Sequence, residues 1–186
     1  ADIPLELFAQ VSGEYGYRSA VESLLDQFEI QAETSTADRM RQALAEMGVA
    51  TSHTNKTPSI AGNLLPTGLD QSSSLLEEYF VRKIRQWRPE IILTQQERVD
   101  AHIISPSVLS TILSAAKKAS DPRSYTEHVS QGGLAPWKVR KVMGSCATTK
   151  ADVTVATSQL ATRIGRSLDQ HATLARGLLN RDFQPA

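Results

Sequence analysis

An aspartate and a histidine two positions apart, Asp100 and His102, are the residues of this chain best suited to contact a ligand. They stand in the polar loop Thr94 to Ile104, directly after the apolar run Ile91-Ile92-Leu93. A carboxylate that accepts a hydrogen bond from an imidazole fixes its tautomer and orientation, and a pair held that way can grip a polar compound. A loop histidine also has a plain structural use, at a sheet edge or as a cap on the next helix. Both uses of His102 stand at this level.

Other reactive side chains carry less. Hydrolysis on zinc needs about three His or carboxylate ligands, an open position for water and a base to take its proton. The four histidines, His53, His102, His128 and His171, are scattered, and none has a His or Asp partner at the spacing of a metal motif. His53 and His128 read as surface groups. Cys146, the single cysteine, forms no internal disulfide and has no neighbouring histidine to make it a nucleophile. Arg163 and Arg166 stand at i and i+3, the spacing of a solvated helix face or of two cations turned to an anion. Trp137, after Pro136, reads as packing rather than as a sugar platform.

The elements that would position Asp100 and His102 are well punctuated. Leu76, Tyr79, Phe80, Ile84 and Trp87 fall at helical spacing with only Lys83 breaking the stripe, so an amphipathic helix is expected. Ser74 and Glu77 have the spacing of a capping box at its start, and Arg88-Pro89 ends it. Ile91-Ile92-Leu93 shows no polar alternation, as in a parallel strand buried on both faces. Ser105 then suits an N-cap and Pro106 a first helical position, ahead of Val108, Leu109, Ile112, Leu113 and Ala116 on one face. Helix, strand, loop, helix is half of a doubly wound unit, in which ligands sit beyond the carboxyl ends of the strands.

Before this frame, Ile3 to Tyr15, Ala20 to Phe28 and a stretch capped at Ser35 or Thr36 and closed by Gly48 read as three short helices. Residues 51–74, rich in Thr, Ser, Asn, Pro and Gly, read as a linker. After it, Trp137 to Met143 and Asp152 to Ala156 read as strands, Ser158 and Ser167 as helix starts, and 181–186 as a frayed end. The expected organisation is therefore a helical segment over 1–50, a linker over 51–74 and a partial α/β domain over 75–186. Its fold class is α/β, a Rossmann-like, mostly parallel sheet flanked by helices.

Twenty basic and twenty acidic side chains cancel, which removes the electrostatic reason to expect nucleic acid or an anionic membrane as partner. The apolar fraction of 40% speaks against wholesale disorder. No apolar run is long enough for a transmembrane segment, so a soluble chain is expected. The sequence starts at Ala1 without an initiator Met or a signal-peptide pattern, as a piece of a longer protein would.

The segments Pro89-Glu90-Ile91-Ile92-Leu93-Thr94, Asp121-Pro122-Arg123-Ser124-Tyr125 and Gly133-Leu134-Ala135-Pro136-Trp137-Lys138-Val139-Arg140-Lys141-Val142 resemble the second half of the PIG-L/LmbE family. So does the tail Leu160-Ala161-Thr162-Arg163-Ile164-Gly165-Arg166-Ser167-Leu168, which is like that of bacterial members; the likeness covers roughly half of the chain. That family contains zinc-dependent N-acetylglucosamine deacetylases. The resemblance implies an early His-Pro-Asp-Asp-Glu-type motif carrying two zinc ligands and a base, and no such cluster is present. It also implies a second motif at His102-Ile103-Ile104-Ser105. His102 keeps the first position, which polarises the acyl oxygen, while Ser105 stands where the third ligand, an imidazole, is expected.

Three functions follow as expectations. The chain is a divergent PIG-L/LmbE-like domain without zinc ligands, a pseudoenzyme with a binding or scaffolding role toward a sugar-like small molecule through His102 and Asp100. Alternatively, it is the distal part of a deacetylase whose upstream half supplies the zinc ligands. In the third, it is a protein-interaction module using the N-terminal helices. The first requires no cofactor.

Overall fold

The computed structural model describes residues 4–24, 34–55, 69–94, 108–144 and 151–180. In chain order its elements are α1 (Leu5–Phe8), which runs on as a π-helical stretch Ala9–Glu14, β1 (Ala20–Leu24), α2 (Thr34–Glu46), β2 (Thr51–Asn55), α3 (Leu69–Trp87), β3 (Ile91–Thr94), α4 (Val108–Ser120), α5 (Thr126–Ser130), β4 (Lys141–Gly144), β5 (Leu160–Ala161), β6 (Arg166–Ser167) and α6 (Leu168–Leu179). The class is mixed α/β. The chain forms two compact units, one of Ala1–Pro58 with Val153–Ala186 and one of Ser59–Asp152. Among the described residues no helix is long and apolar enough to cross a membrane.

In the first unit β1 and β2 pair in parallel, Ala20 opposite Thr51 through Leu24 opposite Asn55, with α2 as the crossover between them. The helix expected over Ala20 to Phe28 is thus a strand as far as Leu24; the remainder lies outside the described residues. An apolar stripe of that length fits either state, and a parallel partner decides it by taking up the backbone groups. Val21 turns to the cluster of Met40, Leu44 and Val49. The segment expected as a linker opens as strand β2, and its last residues already belong to α3.

Gly48 ends α2 at φ +80, where the Val49 amide reaches back to the Leu44 carbonyl at 3.0 Å. A Cβ there would also stand 3.3 Å from the backbone of Ser12 and Gly13. The helix expected from Ser158 is instead the hairpin β5–β6 of two-residue strands, turned by Gly165 at φ +76, and Asp152 to Ala156 forms no ladder among the described residues. The restart at Ser167 is as expected, a capping box with Gln170 at 3.2 Å in both directions. Helix α6 then packs its small face, Ala172 and Ala175, against Leu5, Ala9, Ala43 and Met47. This packing joins the end of the chain to its beginning, a grouping that a reading along the sequence divides differently.

The second unit is a βαβ arrangement preceded by a helix. β3 and β4 pair in parallel, Ile91 opposite Lys141 through Thr94 opposite Gly144, with α4 and α5 between them. Ile92 joins Val81, Ile84, Ala115 and Ala119 in the core between the sheet and α3 and α4. Among the described residues nothing buries the other face of β3: Ile91 is 53% and Leu93 42% exposed, where its unbroken apolar run suggests burial on both sides. The ladder of β4 starts only at Lys141. Trp137 is held elsewhere, its amide on the Ala119 carbonyl and its ring N–H on the Pro89 carbonyl at 2.8 Å.

Candidate functional site

Asp100, His102 and Ser105 lie outside the described residues, as does Cys146. Helix α3 runs toward the turn at Arg88-Pro89 and β3 runs away from it, so the first half of α3, the carboxyl end of β3 and the start of α4 share one end. An open groove of about 330 Å³ lies along these two helices, lined by Ser74, Ser110, Thr111 and Ser114 together with Glu77 and Lys118. Five residues separate His102 from Val108, where α4 is first described.

Glu77 is the centre of the polar contacts there. Ser74 is not the N-cap that its spacing with Glu77 suggests, because α3 begins five residues earlier, at Leu69. The Glu77 carboxylate turns inward and accepts from Ser114, Lys118 and, at 2.7 Å, the hydroxyl of Tyr125. Ser114 and Lys118 are one turn apart on α4, which is why a single carboxylate on the facing helix meets both. Tyr125 has φ 50, a left-handed backbone rare for a bulky residue. Three contacts over-determine it: the hydroxyl on Glu77, the carbonyl accepting from Arg85 at 3.0 Å, and the ring stacked on His128 at 5.3 Å.

His128 is therefore not the surface group its neighbours suggest. It is 4% exposed, with Nε2 at 3.5 Å from Glu78 and no hydrogen-bond partner for Nδ1 among the described residues. Arg163 and Arg166 share no helix face: the first lies in the hairpin turn, where its amide donates to Glu14 at 2.9 Å, and the second in β6. Among the described residues no three His, Cys, Asp or Glu side chains converge to hold a metal ion. Ser105 is the one residue at the ligand position the resemblance assigns, and a neutral hydroxyl is a poor zinc donor.

The electrostatics mark the Glu77 cluster as a clasp. Burial pushes the Glu77 carboxyl up, but the bonds from Lys118, Ser114 and Tyr125, with the Lys118 charge, outweigh it and leave the group below its ordinary range. A carboxylate so stabilised is a weak base, and it already accepts from three donors. For Tyr125, burial comes first, then the bond to Glu77 and the charges of Glu77, Glu78 and Glu127; all push the phenol well above its ordinary value. The signs are opposite. The Glu77 contribution is present above its unfolded value, about 4.3, and is lost as pH falls through the lower folded one; the Tyr125 contribution is present below about 10 and is lost as pH rises through the higher folded one. In an alkaline titration followed by phenolate absorbance, one of the four tyrosines is expected to ionise after the others, and Tyr125→Phe to remove that late step. Four tyrosines ionising together in the intact protein would refute the arrangement.

No model of a known protein family matches the sequence, and no curated protein matches it. In structure the chain is similar to the conserved protein TT1542 from Thermus thermophilus, with a TM-score of 0.59 over 94% of this chain and 70% of that one, at 12% identity. At that identity the likeness concerns the α/β fold alone.

Proposed function

We propose that this chain is a divergent, PIG-L/LmbE-like domain on a Rossmann-like frame, that it lacks hydrolytic activity, and that it binds a polar, sugar-like compound at the carboxyl end of β3. The observation that carries the reading is the polar groove along α3 and α4, lined by Ser74, Glu77, Ser110, Thr111, Ser114 and Lys118, in a unit whose two strands pair in parallel. In this reading His102 and Asp100 add an imidazole and a carboxylate to a wall of serine and threonine hydroxyls, a combination suited to the donors and acceptors of a sugar. Ser105 in place of an imidazole, and the absence from the sequence of an acidic His-containing cluster, support a binding role over hydrolysis. No step is assigned to zinc.

The test is calorimetry with N-acetylglucosamine on the intact chain. Weak binding is expected, falling about tenfold in His102→Ala, a loss of about 1.4 kcal/mol and the size of one or two hydrogen bonds to a ligand. Unchanged binding in that variant would remove the role of His102. Elemental analysis of the purified protein is expected to give no stoichiometric zinc; tightly held metal, one per chain, would sink the metal-free reading.

A further inference from the structure

We propose that the groove between α4 and the chain entering β4 is a docking site for an extended, acidic segment of a partner protein. Its floor is apolar: Leu113 on α4 faces Val139 and Val142 across a hollow of about 280 Å³. Leu113 is 51% exposed, although the opposite face of its helix is packed into the core. Three lysines, Lys117, Lys138 and Lys141, stand around this floor, and among the described residues no acidic side chain lines it. Arg140 adjoins them with its guanidinium 3.0 Å from Glu90.

This concentration of cations is local. The whole chain carries no net charge, while the unit Ser59–Asp152 holds more basic than acidic side chains. A cationic rim around an aliphatic floor is complementary to a segment in which Asp or Glu alternates with Val, Leu or Ile, the charges meeting the lysines and the apolar side chains entering the hollow. An extended form fits because, among the described residues, β4 makes its ladder with β3 alone. Lys141 lies on β4, and a lysine on an edge strand keeps like strands apart, so a second copy of this chain would bring the same cation to the contact. Single-stranded nucleic acid is the poorer fit, since no aromatic ring lines the groove to stack a base. This docking site does not depend on sugar binding at the other groove.

The test is fluorescence anisotropy of the intact chain with a dye-labelled peptide of alternating glutamate and valine. Binding is expected that weakens as salt is raised, drops about tenfold or more in the double variant Lys138→Glu with Lys141→Glu, and also weakens in Leu113→Ser. The same peptide with lysine for glutamate should not bind. Circular dichroism checks each variant; if the double variant loses its folded signal, Lys117→Glu, on an exposed side chain, replaces it. No binding by the intact chain, binding indifferent to charge reversal, or tighter binding of a single-stranded oligonucleotide would each overturn the proposal.

Discussion

Arg85→Met is expected to destabilise the Ser59–Asp152 unit by about 1.5–3 kcal/mol, the range for hydrogen bonds made by a charged group. Arg85 is 1% exposed, the largest fully buried side chain among the described residues. Its guanidinium donates to five carbonyl oxygens: Ala119 and Lys118 at 3.2 Å, Tyr125 at 3.0 Å, and Asp121 and Ser124 at 2.8 Å. Two of these belong to the last turn of α4, whose final carbonyls have no partner within the helix and carry its negative dipole end. The other three fix the turn that leads into α5. Methionine fills much of the same space and supplies no donor, so all five oxygens lose the guanidinium, while those of Lys118, Ala119, Asp121 and Tyr125 each keep one backbone amide, from Asp121, Trp137, Ser124 and His128.

Burial pushes the Arg85 guanidinium down, against the raising effect of the Glu127 and Asp121 charges, but the group stays a cation throughout the usable pH range. Arg85→Lys is expected to fall between the two, because an ammonium has three donors and no planar fork to span carbonyls on both sides of the turn. Both tryptophans, Trp87 and Trp137, lie in this unit, so urea unfolding followed by tryptophan fluorescence reports it directly. A loss under about 1 kcal/mol in Arg85→Met, the cost of an ordinary surface change, would show that the carbonyls find other partners.

Met47→Ala is expected to cost the other unit about 2–5 kcal/mol, the range for truncating a fully buried large side chain. Met47 is 0% exposed and is surrounded by Ala9, Ala43, Ala161, Ala172 and Ala175, with Leu5 and Leu168 completing the cluster. The alanines let the backbones of α1, α2 and α6 approach closely, and for that reason they cannot expand into a hole. Met47→Leu keeps the volume and should cost less than about 1.5 kcal/mol. Urea unfolding by circular dichroism separates the two; equal stability of both variants would mean that the cluster collapses around the missing atoms.

Much of the element order is legible along the sequence because its signals are local. Ser167 and Gln170 announce α6, Gly48 closes α2, Arg88-Pro89 stops α3, and Ser120-Asp121-Pro122 stops α4; each acts on backbone groups within a turn of itself. The existence of the strand β3 and of the helices on either side of it is announced by apolar spacing together with Arg88-Pro89, Ser105 and Pro106. The candidate site is legible only in part. Asp100 and His102 are recognisable by type and position, whereas the Glu77 cluster is hidden, because a pattern reading assigns charged residues to the solvent face.

Helix α3 shows how far that rule misplaces a face. Its buried stripe is centred on Glu77, Val81, Ile84 and Arg85, about one position round from the stripe that its apolar residues suggest. Lys83, the break in the expected stripe, lies over the rings of Tyr79 and Trp87, 5.5 and 4.9 Å from their centres, and so covers apolar surface while keeping its charge near water. The sequence by itself determined where α2 and α3 stop and where α6 starts, through caps and turns that act within one turn of the chain. Only the tertiary structure decided that Glu77 and Arg85 go inside, that Ala20–Leu24 is a strand, and that His128 is covered. Each of these depends on partners some 30 to 50 residues away, Lys118, Tyr125, Thr51–Asn55 and Glu78. A buried charge or an extended backbone is stable only when such a partner satisfies it, and local sequence does not encode that partner.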